Sequence, residues 1–446
     1  MRWPQGIALC LALLAVAPAV FGEDLVQVYR DAKSYDAQFA SARFALDAGR
    51  EKLAQGNAQY RPSVGLTAGT TRTDQSIESS TNPLLLPNIS RQFRTNAYQL
   101  TLSQPLWRRQ NFLLANEAEW QVRQAESTFD QAGQDLILRV SQAYFDVLAA
   151  QDSLALVGAQ KAAISEQLAQ AKRNFEVGTA TITDTHEAQA RYDLIIAQEL
   201  AAQNDLENKR QALFQLTGKQ YGALKPLRPL IVLGGPEPAN MQTWVDMAEK
   251  QSYPVQILEA AAEVAQLEVK RASGAHHPTL DFVATYGYTS QTGTALSTVG
   301  SDITVSTLGV QLAVPIYQGG ALSSRERESA ANYNKTREDL QAARRSAALT
   351  ARQSYLGVLS GQAQVKALEQ ALVSSQSALD SNKLGYEVGA RINIDVLNAQ
   401  QQVFSTKRDL ALARYNTITG QLKLKAAAGG LREDDLEEVN RALAVQ

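Results

Sequence analysis

The residues of this chain that could do chemistry follow two valine-glycine turns, at 177–178 and 388–389. Asp184 and Glu187 come after the first turn, spaced like a helix N-cap and the third helical residue, which predicts a capping box with Asp184 as the cap. Asp395 and Asn398 come after the second turn, three residues apart on one helix face. Asp395 alone is also typical of an exposed carboxylate at a helix start. These types and spacings indicate hydrogen bonds and electrostatics rather than bond-breaking chemistry.

The sequence offers no catalytic constellation. Its three histidines include the adjacent pair His276 and His277, which would need further ligands at defined geometry to hold a metal ion. Cys10, the one cysteine, lies in the apolar N-terminal stretch, and no glycine-rich phosphate loop is present. We therefore expect no enzyme activity, no catalytic residue, no metal site and no cofactor.

The N-terminus has the pattern of a secretory signal. Arg2 precedes a short apolar run, 7–16, and small residues lead to a plausible cleavage site after Gly22. The run is too short for a membrane anchor. The formal net charge of −2 and the pI near 6.1 give no concentrated basic surface, so no nucleic-acid partner is expected.

The chain repeats itself. The stretch FEVGTATITDTHEAQARYD, 175–193, resembles YEVGARINIDVLNAQQQVF, 386–404, which lies 211 residues later. Tyr144 aligns with Tyr355, and Pro62 with Pro278. Such self-similarity marks a structural repeat. The predicted organisation is a signal peptide 1–22, a first repeat 23–218, a Pro/Gly-rich segment 219–242, a second repeat 243–430 and a C-terminal tail 431–446.

Each repeat contains one very long stretch of helical character. No proline interrupts residues 106–177 or 322–388, and about 70 residues in a helix span roughly 100 Å. A helix of that length exceeds any ordinary domain core. It needs partner helices along its whole length, as in a coiled coil.

Four short segments alternate apolar and polar residues, which predicts strands at 63–73, 94–104, 279–290 and 303–314. About ten residues with one apolar face is typical of a membrane barrel strand, although any one segment also fits a soluble sheet. Four strands cannot close a barrel, and open edges do not survive in lipid. Other copies must complete them, and a homotrimer supplies twelve strands.

With FEVGTATITD, YEVGARINIDVLNAQ, the QPL after the second strand and RYNTITGQLKLKAAAG, the chain resembles the TolC family of outer-membrane channel-tunnel proteins over residues 23–430. The resemblance implies a mixed α+β membrane protein, a homotrimer with a twelve-stranded β-barrel in the outer membrane of a Gram-negative bacterium. A long helical coiled-coil tunnel would continue it through the periplasm. It also implies a passive exit duct for type I protein secretion, drug efflux or both. Its partners would be a periplasmic adaptor, an inner-membrane ABC or proton-driven pump, and outer-membrane lipid.

The same resemblance assigns roles to residues at the turns. Thr183 and Asp184 would lie close to Tyr386 and Arg391, as links that hold the entrance shut. Asp395 and Asn398 would line the narrowest point of the lumen, where the family pattern has two aspartates and this chain keeps one. The adaptor would dock on the tips, formed by Val177, Gly178, Val388 and Gly389.

A second function remains open from the sequence: a secreted periplasmic coiled-coil scaffold without a pore. A barrel needs an amphiphile to stay in solution, whereas a scaffold does not. The cargo of a duct stays open as well, because the lumen-facing sequence does not separate secreted proteins from small molecules.

Overall fold

The computed structural model describes residues 22–78, 89–179, 181–228 and 234–444. Except for Gly22, the predicted signal peptide lies outside the described residues, as does Cys10. The inter-repeat segment 219–242 is described except at 229–233, and its described part contains no helix before Met241.

The order of elements repeats in the two halves of the chain. The first half comprises α1 (Leu25–Tyr35), α2 (Ala37–Ala58), β1 (Ser63–Ile77), β2 (Ile89–Trp107), α3 (Arg109–Glu176) and α4 (Ile182–Thr217). The second half comprises α5 (Met241–Gln251), α6 (Tyr253–Gly274), β3 (Thr279–Gln291), β4 (Ser301–Ala313), α7 (Ala321–Glu387), α8 (Asn393–Ala427) and the additional α9 (Glu433–Arg441). Helix lengths match closely: α3 has 68 residues and α7 has 67, while α4 has 36 and α8 has 35.

The strands form one antiparallel sheet in the order β1-β2-β3-β4. Its register pairs Leu66 with Leu100, and Leu100 in turn with Tyr286, so apolar side chains of neighbouring strands share one face. Leu308 of β4 lies on the same face, opposite Ala284, and is 77% exposed. Nothing else among the described residues covers this apolar face.

The first two strands are longer than their alternating apolar segments. β1 continues to Ile77 rather than 73, and β2 runs from Ile89 to Trp107 rather than over 94–104. The added residues near the hairpin are mostly polar or charged, apart from Ile77, Ile89 and Phe93, so the apolar alternation ends while the ladder of hydrogen bonds continues. A bulge between Pro105 and Trp107 shifts the register at the other end and brings Trp107 opposite Leu280 on the apolar face.

The long helices pair as two antiparallel hairpins, α3 with α4 and α7 with α8, and α3 also packs against α8. Apolar clusters recur along them instead of forming one compact core. One of these joins three helices through Ile164, Ile195 and Leu397. At about 1.5 Å per residue, α3 spans roughly 100 Å.

The largest core lies midway along α3, where α1 packs against α3 and α9 packs against α1. Tyr144 is fully buried there and donates its hydroxyl to the backbone carbonyl of Lys225 at 2.9 Å. Tyr355, its counterpart in the second half, donates to the carbonyl of Ala239 at 2.9 Å. In each half the tyrosine therefore ties a long helix to the inter-repeat segment. The predicted C-terminal tail contains α9, which buries Leu436 in this core.

Asp36 joins two helices in the same region. Its carboxylate caps α2 by accepting from the backbone N–H of Phe39 at 2.7 Å, and it pairs with the Arg139 guanidinium at 2.6 Å. Burial raises the pKa of Asp36, but the hydrogen bonds from Arg139 and Phe39 outweigh burial and lower the pKa below its ordinary value of 3.8. Asp36 therefore stabilises the fold above that pH, and this contribution is lost as the pH falls through the lowered value.

We expect Asp36→Ala to destabilise the protein by about 2 kcal/mol, because it removes a helix cap and leaves Arg139 half-buried without its carboxylate. Denaturant unfolding of the detergent-solubilised protein, followed by circular dichroism, measures the change. Asp47→Ala, at an exposed position of α2, is the matched control and should change stability little. Equal stabilities of the two variants at neutral pH would contradict this role.

Candidate functional site: the hairpin tips

The two turns between paired helices have the same backbone geometry. After α3, Gly178 has φ +75°, and the N–H of Thr179 donates to the carbonyl of Asn174 at 2.8 Å. After α7, Gly389 has φ +76°, and the N–H of Ala390 donates to the carbonyl of Gly385 at 2.8 Å. Both are Schellman-type ends, in which glycine supplies the left-handed conformation. The repeated valine-glycine sequence therefore makes two equivalent tips.

The tips present an apolar surface. Val177 is 72% exposed and Val388 is 71% exposed. A Cβ added to Gly178 or Gly389 would meet no atom within 4 Å. Exposed valines and open backbone at the end of a long hairpin are suited to contact with another molecule.

The first turn carries a capping box, but not in the predicted register. Thr181 is the N-cap of α4, and Asp184 is the third helical residue. The carboxylate of Asp184 accepts from the Thr181 backbone N–H at 2.9 Å and from its hydroxyl at 2.8 Å. The prediction of Asp184 as the cap with Glu187 as its partner was wrong, because Thr181 offers a β-region cap three residues earlier. Thr183 lies exposed on the same turn.

Within one chain, the predicted gate residues contact other partners. The Tyr386 hydroxyl accepts from the side-chain amide of Asn174 at 3.2 Å, which joins α7 to α3. A guanidinium nitrogen of Arg391 lies 3.7 Å from a carboxylate oxygen of Asp395. No hydrogen bond or ion pair among the described residues joins Thr183 or Asp184 to either of these side chains.

Arg191 is a residue of this site that the sequence reasoning missed. From α4 its guanidinium donates to the side-chain oxygens of two α8 residues, Asn398 at 2.9 Å and Gln401 at 2.7 Å. These two hydrogen bonds link the first hairpin to the second. Arg191 lies seven residues after Asp184, two helical turns along the same face, and this spacing is the signal that would have pointed to it.

The arrangement sets the charge near the start of α8. Asp395 is the third residue of the helix, with Arg391 beside it, and Asn398 lies one turn further along with Arg191 bound to it. The carboxylate of Asp395 thus lies beside Arg391, and the position one turn further along holds an amide bound to an arginine instead of a second carboxylate. Among residues 22–78, 89–179, 181–228 and 234–444, no group of three metal-ligating side chains occurs. In the same ranges, no helix combines the length and the apolar character needed to cross a membrane.

Comparison with protein families places the chain among transport proteins of the outer membrane. The family described as outer membrane efflux protein matches residues 28–219 and 244–430, which leaves a gap at the inter-repeat segment. The outer membrane protein TolC of Vibrio cholerae is 34% identical over 437 residues, 97% of each protein. The proteases secretion protein PrtF of Dickeya chrysanthemi is 28% identical and aligns over 93% of this chain and 90% of its own.

Solved structures show the same architecture. The Campylobacter jejuni CmeC outer membrane channel superposes with a TM-score of 0.78 over 95% of this chain and 90% of its own, at 16% sequence identity. The Vibrio cholerae outer membrane protein VceC superposes with a TM-score of 0.75, at 19% identity. With its repeated hairpins and four-stranded sheet, the chain belongs to the outer membrane efflux protein family and has the fold of outer-membrane channels.

Proposed function

We propose that three copies of this chain form a gated exit duct from the periplasm across the outer membrane. The observation that carries the proposal is a four-stranded sheet with an exposed apolar face and open edges at β1 and β4, placed on helices of roughly 100 Å. Open edges are not stable in lipid, and β4 of one copy can pair with β1 of the next. Three copies then close a barrel of twelve strands.

The oligomeric state in detergent tests this assembly. Light scattering on the purified protein should give the mass of three chains, and removal of detergent should precipitate it because the apolar face is then exposed to water. A monomer that stays in solution without detergent would contradict the barrel and favour a coiled-coil scaffold.

The hairpin tips form the periplasmic entrance in this proposal. Tyr386 on Asn174, and Arg191 on Asn398, hold the two hairpins of one chain together. Arg391 is 60% exposed, so its guanidinium is available to Thr183 and Asp184 of a neighbouring chain. Individual exposed links contribute about 0–1 kcal/mol, but threefold symmetry multiplies them. The resting entrance is closed by their sum, which binding of a partner can overcome.

The partner that opens the duct would contact the tips at Val177, Gly178, Val388 and Gly389. We propose a periplasmic adaptor that docks its own helical hairpins tip to tip and connects the duct to an inner-membrane ABC or proton-driven pump. The exposure of the valines supports this placement. The duct itself is passive, and the pump supplies the energy.

Three copies of Asp395 would form a ring of carboxylates at the constriction, as charged rings do in cation-selective pores. Asp395→Ala should therefore abolish most cation preference in planar bilayers. Arg191→Gln together with Asn398→Asp replaces a cation by a carboxylate at this level, and block by trivalent cations should become at least tenfold stronger. Unchanged cation preference in Asp395→Ala would show that the constriction lies elsewhere.

The cargo follows from the relatives only as a proposal. PrtF is named for the secretion of proteases, and TolC-type relatives include efflux proteins. We propose that this duct serves type I protein secretion, drug efflux or both. Deletion of the gene, followed by assays of secreted proteins and of sensitivity to toxic compounds, separates the two: a change in neither would contradict the exit-duct function.

A further inference from the structure

Two arginines face each other on the apolar side of the sheet. Arg72 of β1 and Arg94 of β2 are direct cross-strand partners. Side chains alternate between faces along a strand, so the even spacing from Leu66 and from Leu100 puts both arginines on the apolar face. Like charges directly opposite each other destabilise a strand pair unless something offsets the repulsion.

The position of this pair along the sheet is defined by aromatic side chains. Tyr98 and Tyr288 stack on the apolar face with ring centroids 5.2 Å apart, and Trp107 lies on the same face near the helices. The nine residues from Trp107 to Tyr98 cover roughly 23 Å of height for strands tilted by about 40°, which matches the apolar band of an outer-membrane barrel with its two aromatic girdles. Arg94 lies four residues beyond Tyr98, so it stands roughly 10 Å above the outer girdle.

Asp74 lies on the same face, two residues from Arg72 along β1, and no ion pair joins it to either arginine. Among the described residues, neither Arg72 nor Arg94 has a carboxylate within ion-pair distance. Arg72 donates to the amide oxygen of Gln92, whose nitrogen donates to Asp74 at 2.8 Å. The backbone N–H of Arg94 donates to the Thr292 hydroxyl at 2.9 Å, which fixes the strand position, and its guanidinium has no partner in the described ranges. The other carboxylate on this face near the hairpin ends, Asp302, lies on β4, two strands from Arg94.

We propose that Arg72 and Arg94 bind the phosphate of an anionic lipid headgroup in the outer leaflet of the membrane. The pair lies at the strand ends far from the helices, on the lipid side, at headgroup height. Two guanidinium groups can bind phosphate oxygens through charge-assisted hydrogen bonds, and this contact offsets the repulsion between them. The inference rests on the barrel proposed above.

Lipid binding to the purified protein in neutral detergent tests the site. Native mass spectrometry should show tighter binding of phosphatidylglycerol than of zwitterionic phosphatidylcholine. We expect Arg72→Gln with Arg94→Gln to weaken phosphatidylglycerol binding about thirtyfold, and Arg72→Lys with Arg94→Lys to retain most of it, since each of the two cations near an anionic surface contributes about 1 kcal/mol. Arg91→Gln is the control that matches Arg94→Gln in charge. Arg91, near the same height, lies opposite Gln75 on the other face, so this variant should bind lipid as the unmodified protein does.

Three results would overturn the proposal: equal affinity of the unmodified protein for the two lipids, unchanged affinity in the double Gln variant, or an equal loss in Arg91→Gln. Displacement of the lipid by excess inorganic phosphate would also overturn it, because the site would then select free phosphate. If the double variant does not assemble, Arg94→Gln alone is tested instead, because it leaves the contact between Arg72 and Gln92 in place. Its affinity for phosphatidylglycerol is then compared with that of the unmodified protein and of Arg91→Gln. If the protein is a trimer but its lipid binding does not depend on these arginines, only this inference is refuted. If the protein is not a trimer, the barrel is refuted.

Discussion

Gly178→Val together with Gly389→Val should reduce export at least tenfold, measured as secreted product or efflux rate. The protein should still assemble in the outer membrane. Both glycines have φ near +75°, where a β-branched residue costs about 1–2 kcal/mol or more. Each tip relieves that strain by changing its turn, and the added side chains stand on the surface that the adaptor would contact. The main core lies far from the tips, midway along the helices, so assembly is preserved.

The matched control is Gly178→Asn with Gly389→Asn. Asparagine adopts the left-handed conformation more readily than other side chains, and a Cβ meets no neighbour at either position. Export by this variant should remain well above that of the valine variant. Export at the unmodified level by the valine variant, with equal amounts in the membrane, would show that the tips are not the docking surface.

Arg191→Met combined with Tyr386→Phe should raise single-channel conductance several-fold. These changes remove the side-chain links between the two hairpins of one chain near the tips, the Arg191 contacts to α8 and the Tyr386 contact to Asn174. Each exposed link is weak, but three chains lose all of them together, and a few kcal/mol changes a closed-to-open equilibrium by orders of magnitude. Conductance in planar bilayers at fixed salt measures the effect.

Arg408→Met is the control for loss of charge on these helices. Arg408 pairs with its neighbour Asp409 and has no ion pair to a second helix among the described residues, so its removal should leave conductance unchanged. Addition of Arg391→Ser to the gate variant then tests contacts between chains. A further rise in conductance is expected if Arg391 meets Asp184 of a neighbour. No rise in conductance in the gate variant, with or without Arg391→Ser, would refute the lock at the tips.

The repeated architecture could be predicted from local sequence because its signals are periodic and are written twice. Absence of proline over two long stretches predicts helices, and the two valine-glycine pairs lie where those helices turn. The alternation of apolar residues identified all four strands. It missed the outer ends of β1 and β2, 74–77 and 89–93, which lie beyond Arg72 and Arg94, where the apolar alternation has stopped although the backbone ladder continues.

The site was less predictable because its contacts join distant segments. Arg191 and Asn398 are 207 residues apart, and nothing local to either one indicates the other. The capping box was placed in the wrong register because threonine and aspartate are both good caps, and only the backbone geometry selects Thr181. The contacts of Thr183, Asp184 and Arg391 across chains stay predictions, since they depend on a neighbouring copy.

The central claim is that this chain forms a closed but openable pore, and single-channel recording of the unmodified protein tests it most directly. Purified trimers added to a planar bilayer should insert and give small, discrete, cation-preferring current steps, because a barrel open at the membrane is narrowed at the distant tips. The absence of any discrete steps would contradict a pore. Large currents in the unmodified protein, equal to those of Arg191→Met with Tyr386→Phe, would contradict the gate.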